Sequence, residues 1–110
     1  MSNAALLCRH TRTVTLAAGV ATPVDVPIDH AKNWLVVVKN TGAADLDTVT
    51  AAASPLGTLF EAPASITTGL PLASGASLPG IRGLGEPVAT LRLTLTSTTG
   101  TDVQIEAGGW

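Results

Sequence analysis

Aromatic residues are nearly absent from this chain: 110 residues include no tyrosine, one phenylalanine and two tryptophans. Single-stranded nucleic acids are gripped by stacked rings over a cationic groove, and the six Lys and Arg residues are scattered, with a net charge of −2. Nucleic-acid binding is therefore not expected. The single cysteine, Cys8, excludes an internal disulfide. No apolar run approaches the roughly 18 residues of a membrane span, so no membrane partner is expected. The start, Met1-Ser2-Asn3-Ala4-Ala5-Leu6-Leu7-Cys8, lacks the charged head and long apolar segment of a secretory signal. Ser2-Asn3-Ala4 looks like a tag scar, but it follows Met1 directly and is read as native. A soluble product made in a cytoplasm is the expectation.

What is abundant is small aliphatic surface. Apolar residues make up 45% of the chain and charged residues 13%, a balance that folds rather than stays disordered. The length suits one domain. A core of Ala, Val and Leu is thin, because aromatics bring the largest burial per residue, and thin cores in small domains draw on partners. Trp34-Leu35-Val36-Val37-Val38 is the one run of five large apolar residues, and it stops on Asn40-Thr41-Gly42. Its valines favour a strand. Trp34, Val36 and Val38 then share one face, Leu35 and Val37 the other. Both faces are apolar, and a two-layer sandwich buries only one face of each sheet.

Residues 1–10 have no clear period and read as an arm, leaving 11–110 as the folded domain. From Thr11 the pattern is strand-like, with Val14 and Leu16 inward. Thr22 to Val26 reads as a short edge strand, since neither Pro23 nor Pro27 can donate to a ladder. Ile28 to Asn33 is a connection with room for one helical turn. Leu46 to Ala53 is a further strand. Residues 54–87 hold five of the seven prolines and read as a long loop region, with short strands at Thr58 to Glu61 and Ala76 to Leu78. At the end, Leu91, Leu93 and Leu95 alternate with polar residues, as do Val103, Ile105 and Ala107. Placing both apolar sets on one face predicts a hairpin through Thr98-Thr99-Gly100, pairing Leu95 with Val103 and Leu93 with Ile105. Short strands, Gly/Pro turns and no helical period predict an all-β fold, a single antiparallel β-sandwich of Ig-like or jelly-roll type.

Catalytic patterns are incomplete. Gly75-Ala76-Ser77-Leu78-Pro79 lacks the closing glycine and the strand-to-helix setting of a nucleophile elbow. Gly80-Ile81-Arg82-Gly83-Leu84-Gly85 lacks the Lys-Ser/Thr of a phosphate loop and reads as a flexible bend. Asp29-His30 are adjacent, so a strand would point them apart, and a surface loop suits them better. Cys8 with His10 is two metal ligands without the usual spacing. Asp45-Leu46-Asp47 lacks the further oxygen donor and glycine of a calcium loop. Glu61 and Glu86 stand alone. No enzyme, cofactor or metal site is expected.

Two stretches carry a resemblance. Val36-Val37-Val38-Lys39-Asn40-Thr41-Gly42, followed by Leu72-Ala73-Ser74-Gly75-Ala76-Ser77, resembles the strand–turn–strand pattern of bacterial and phage Ig-like domains. Leu91-Arg92-Leu93-Thr94-Leu95-Thr96 with Thr101 to Trp110, ending in Gly-Trp, looks like the last hairpin of small structural proteins of tailed-phage virions. The resemblance covers under half of the chain and carries no functional residue over. It implies a non-enzymatic virion protein, a capsid decoration (cement) protein stabilising the shell, located in a virion assembled in the host cytoplasm. Its expected partners are the major capsid protein or another virion protein, and further copies of itself, a trimer being the first expectation. The alternatives are a neck, tail or baseplate accessory protein, or an Ig-like module binding glycans or cell surfaces. The expected interface residues are Leu35 and Val37 on the second strand face, Leu6 and Leu7 in the arm, Leu70 and Leu72 in the long loop, and Trp110. Trp110 either plugs a pocket on a neighbour or folds back on its own sheet.

Overall fold

Alternation of branched apolar and small polar residues dictates strands throughout, and a computed structural model, which describes residues 8–85 and 87–110, contains eight of them and no helix among those residues. They are β1 (Cys8–Leu16), β2 (Thr22–Pro27), β3 (Asn33–Asn40), β4 (Thr48–Ser54), β5 (Ala64–Ile66), β6 (Ile81–Leu84), β7 (Thr90–Thr96) and β8 (Thr101–Gly109). One four-stranded sheet has the order β1-β8-β3-β6, and the other β2-β7-β4-β5. The pairs β1/β8, β2/β7, β3/β6 and β4/β5 are all antiparallel. The first half of the chain thus lies antiparallel to the second, as one long four-on-four hairpin. The pairs β3/β8 and β4/β7 then roll it into two layers. This is the jelly-roll order, one of the two sandwich types the pattern allowed.

The core lies between the layers. From the first sheet come Trp34, Val36, Val38, Val103 and Ile105, and from the second Val24, Val26, Val49, Leu91, Leu93 and Leu95, all buried. Nearly ring-free, this interior is filled by branched aliphatics from both sheets, with Cys8 packed against it partly buried.

The predicted hairpin between β7 and β8 does not form: the two strands sit in opposite sheets. Leu93 pairs with Val24 and Ala51, and Ile105 with Arg12 and Val38. Their apolar faces meet across the core, face to face rather than side by side. Alternation states that each strand has one apolar face and leaves open which of these arrangements holds. The turn between them is the sheet-to-sheet crossing. Ser97 Oγ donates to Asp45 O at 2.6 Å, the Thr98 N–H donates to Asp47 Oδ2 at 2.6 Å, and the Gly19 N–H donates to Ser97 O at 2.8 Å. Gly100 takes φ +85° there, and a Cβ on it would stand 3.0 Å from Leu16 O.

Three further readings change. Gly80 to Gly85 is not a bend: Ile81–Leu84 is β6, an edge strand on β3. Gly83 is the reason it fits, since a Cβ there would lie 2.4 Å from the Trp34 indole. Ile28 to Ala31 is not helical. Asp29 and His30 both take positive φ (56° and 58°), and the Ala31 N–H donates to Ile28 O at 3.2 Å, which makes a type I′ turn. The short strands expected at 58–61 and 76–78 are instead a hydrogen-bonded loop and a single bridge, Lys39 to Ser77. Of the expected arm, Cys8–His10 begin β1 opposite Ala107–Gly109, and residues 1–7 lie outside the described residues.

Asn40, at the end of β3, ties the layers to the loops. Its side chain is fully buried, donating from Nδ2 to Ala44 O at 2.7 Å and Leu72 O at 2.8 Å. Its Oδ1 accepts from the Gly42 N–H at 3.2 Å and from Thr101 Oγ1 at 2.9 Å. All of its bonding capacity toward neighbours is used in one place, and Gly42 can pass only because a Cβ would collide with Thr101.

Candidate functional site

The face that the sequence left without a cover is the outer side of the first sheet. Register assembles it row by row. Arg9, Gly108, Leu35 and Arg82 lie side by side across the four strands, and Thr11, Glu106 and Val37 form the next row. β3 is an interior strand, so its odd-numbered side chains stand in the middle of this surface. Leu35 and Val37 are half-buried while Trp34, Val36 and Val38 on the other side are buried.

Gly108 contributes no side chain between Leu35 and Arg9. A hollow of about 260 Å³ opens there, lined by Arg9, Leu35, Val37, Glu106, Gly108 and Trp110. Trp110 folds back on its own sheet. Its N–H donates to Asn33 O at 2.8 Å, and the Asn33 N–H donates to Trp110 O at 3.0 Å, which extends the β8/β3 ladder by one step. The indole is half-buried beside Leu35 and borders a second hollow of about 100 Å³ with Arg82 and Leu84. Leu84, on the edge strand, is 69% exposed. The result is an apolar strip of Val37, Leu35, Trp110 and Leu84 with cations at its margins. Arg9 is shared with Glu106 at 3.7 Å between two exposed side chains, whereas Arg82 makes no ion pair among the described residues.

Of the expected interface residues, Leu35, Val37 and Trp110 come together here. Leu70 is half-buried elsewhere, beside Val49, Thr50 and Ile66 in a groove of about 380 Å³ along β5. Leu72 is 4% exposed and packs in the core, its backbone bridged to Leu46. Leu6 and Leu7 lie outside the described residues. Sequence reasoning missed Leu84, which it placed in a bend, and Gly108, which only the register of three strands makes conspicuous.

The groups weighed for chemistry are dispersed. Asp29 and His30 occupy the exposed turn before β3. Asp45 and Asp47 hold the β7–β8 crossing through the bonds described above. Ser77 is exposed next to Lys39. Cys8 donates its thiol to Ile28 O at 3.1 Å, and burial, reinforced by the nearby Asp29 charge, pushes its pKa up. Among the described residues, no group of three or more His, Cys, Asp or Glu side chains is placed to hold a metal ion.

The opposite, outer side of the second sheet is covered differently. Arg92 forms a two-bond ion pair with Asp25 (2.7 and 3.1 Å) and lies 4.0 Å over the Phe60 ring. The β4–β5 loop therefore folds down onto this sheet, and Ala52, an outward residue of β4, is buried beneath it.

No protein-family model matches the chain, and no curated protein matches it. Among solved structures it is similar to the SPBc2 prophage-derived protein YomS, with a TM-score of 0.49 and 10% identity over 96% of this chain and 98% of that one. A chain in the structure of infectious bursal disease virus, Gx strain, is similar at a TM-score of 0.47 and 10% identity, over 92% of this chain and 33% of the viral one. A chain of the Bacillus endospore appendages, a family of disulfide-linked pili, is similar at a TM-score of 0.42 and 11% identity, over 99% of this chain and 93% of that one. Likenesses of this degree describe the general course of the backbone and carry nothing about role.

Proposed function

We propose that this protein is a non-enzymatic structural subunit that works by surface contact, a decoration protein that stabilises the capsid of a tailed-phage virion. The observation that carries the reading is the outer face of the first sheet: an interior strand presents Leu35 and Val37 outward, next to Trp110 and the exposed Leu84. Apolar side chains gathered on an ordered sheet face are a contact surface, and burial there stabilises an assembly by about 25 cal/mol per Å² before the costs of association. The likeness of the β7 and β8 sequences to small virion proteins, and of the β3 stretch to bacterial and phage Ig-like domains, supplies the setting, with a capsid protein and further copies of the chain as partners. A neck, tail or baseplate place in the same virion rests on the same surface. A second reading, a glycan-binding module, is favoured by one feature: the Trp110 indole borders a hollow that also holds Arg9 and Glu106, a ring beside polar groups.

Val37→Asp separates these readings. The position is on the outer face, so the variant is expected to keep the monomer's fold by circular dichroism and thermal melting. It is expected to lose co-sedimentation with capsids that the unaltered protein binds. Capsid binding unchanged by Val37→Asp would refute the contact reading, and retention on a glycan array that is lost in Trp110→Ala would favour the sugar-binding one.

A further inference from the structure

The β4–β5 loop carries the most exposed large apolar side chains among the described residues: Leu56 is 85% exposed and Leu59 81%. Neither belongs to a loose segment. Ser54 Oγ accepts from the Gly57 N–H at 3.0 Å and donates to Leu59 O at 2.8 Å, which closes the loop on itself. The Glu61 N–H donates to Ala53 O at 2.8 Å, and the Phe60 ring lies under the Arg92 guanidinium, itself fixed by Asp25. Gly57 supplies the positive φ (+93°) that the bend between the two leucines needs. The loop thus turns its one aromatic ring inward and holds two leucines outward. A preorganised apolar projection loses little freedom when it docks, and leucines this exposed add little buried area to the monomer.

The occupant that fits is on the same chain, on its other side. The loop stands over the outer face of the second sheet, and the hollow at Gly108 opens on the outer face of the first. One molecule cannot join its own pair, whereas two copies can. Charge agrees with the match at one point: Glu61 flanks the leucines, and Arg82, with no ion pair among the described residues, borders the adjoining hollow at Leu35 and Trp110, while Arg9 is shared with Glu106. Resting on the reading of the first sheet's outer face as a contact surface, we infer that the Leu56/Leu59 loop of one copy seats in the Leu35–Trp110 hollow of a second copy, with Glu61 facing Arg82. The contact is heterologous, so a row of any length keeps one free hollow at one end and one free loop at the other until a ring closes or the row is capped.

That asymmetry gives the test. Leu59→Asp damages only the projection and Leu35→Asp only the hollow. Sedimentation velocity on the full chain over a concentration series is expected to show self-association of the unaltered protein, and at least tenfold weaker association for each variant alone. An equimolar mixture of the two variants is expected to form a one-to-one complex, because one intact loop and one intact hollow remain. Matching thermal melts establish that both variants are folded. Glu61→Arg is expected to weaken association, and adding Arg82→Glu to the same chain to restore it. Undiminished self-association of Leu59→Asp overturns the inference, as does a mixture no more associated than its components. Unaltered protein that stays monomeric throughout overturns it too. If that monomer still co-sediments with capsids and Val37→Asp does not, the contact reading stands without this inference.

Discussion

Asn40→Asp is the sharpest test of how this fold is held. The change is nearly isosteric, so packing is kept and only the hydrogen-bond chemistry alters. Two of the four bonds made by Asn40 are donations from Nδ2, to Ala44 O and Leu72 O. An aspartate oxygen in that place faces two carbonyls at 2.7–2.8 Å with at most one proton to offer. Protonated, it loses one bond and leaves a buried carbonyl unsatisfied, at about 1–3 kcal/mol. Ionised, it puts a charge where the wild-type side chain is fully buried, facing two acceptors. Burial and acceptor repulsion both favour the protonated form, so the carboxyl's pKa in the folded protein is raised above its unfolded value. For a fully buried carboxyl the upward displacement reaches about 3 pH units, worth up to about 4 kcal/mol at 1.4 kcal/mol per pH unit, less what the Gly42 and Thr101 donors return to the ionised form.

The sign follows from proton counting. Between the unfolded pKa, about 3.9, and the raised folded one, the folded state holds more protons than the unfolded state, so stability falls as pH rises. The expected penalty relative to wild type is about 1–3 kcal/mol at pH 3 and grows by up to about 4 kcal/mol by neutral pH. That total is a large share of the roughly 5–15 kcal/mol available to a small domain. Urea unfolding of both proteins from pH 3 to pH 8 measures it, the wild-type curve being subtracted at each pH. A difference that stays flat with pH, or a penalty under about 1 kcal/mol at pH 7, would show that Asn40 does not hold the two loops as described.

Two other outcomes follow from particular contacts. Gly83→Ala sets a Cβ 2.4 Å from the Trp34 indole, and overpacking of this kind costs about 1–3 kcal/mol. A lowered denaturation midpoint with a shifted tryptophan emission is expected. Gly75→Ala is the control, since it has open space and only a positive φ to bear (+81°), about 1 kcal/mol. Cys8 holds its proton more tightly folded than unfolded, through burial first and the Asp29 charge second. Stability is therefore expected to fall as pH rises above the ordinary thiol value, and iodoacetamide is expected to label the native protein more slowly than the urea-unfolded one. Asp29→Asn is expected to speed native labelling. Equal native and unfolded rates would show that Cys8 is not shielded as the structure has it.

Local pattern reaches as far as the face of a strand and stops at its neighbour. The alternation in 11–16, 34–38, 91–95 and 103–107 stated which side chains point inward, and Leu16, Val36, Val38, Leu93 and Ile105 are buried accordingly. Pro23 and Pro27 stated that β2 is an edge, and it is. Pairing is another matter. In this rolled sandwich every pair of consecutive strands except β4 and β5 crosses between layers, so the nearest strand in sequence faces its predecessor instead of joining it. Thr98-Thr99-Gly100 has the residues of a hairpin loop and makes a crossing, because Asp45 and Asp47 from another loop hold its near end. Residues 54–87 were illegible for a related reason. β5 and β6 are three and four residues long and take their strand character from Val49–Ala51 and Asn33–Val36, their partners.

The surface is where these limits matter most. That Leu35 and Val37 share the face opposite Trp34, Val36 and Val38 is a local fact, readable from five consecutive residues. That they border a hollow is not, because the hollow is made by a residue with no side chain, Gly108, at one particular step of the β3/β8 and β1/β8 registers. Moving β8 by two residues along β3 would place Glu106 against Leu35, fill the gap with a charged side chain, and leave every inward-facing residue inward. Core composition is indifferent to that shift. The backbone pairing of Trp110 with Asn33 continues the ladder one step beyond the point where Gly108 meets Leu35, and so places the indole at the rim of the hollow that this register opens.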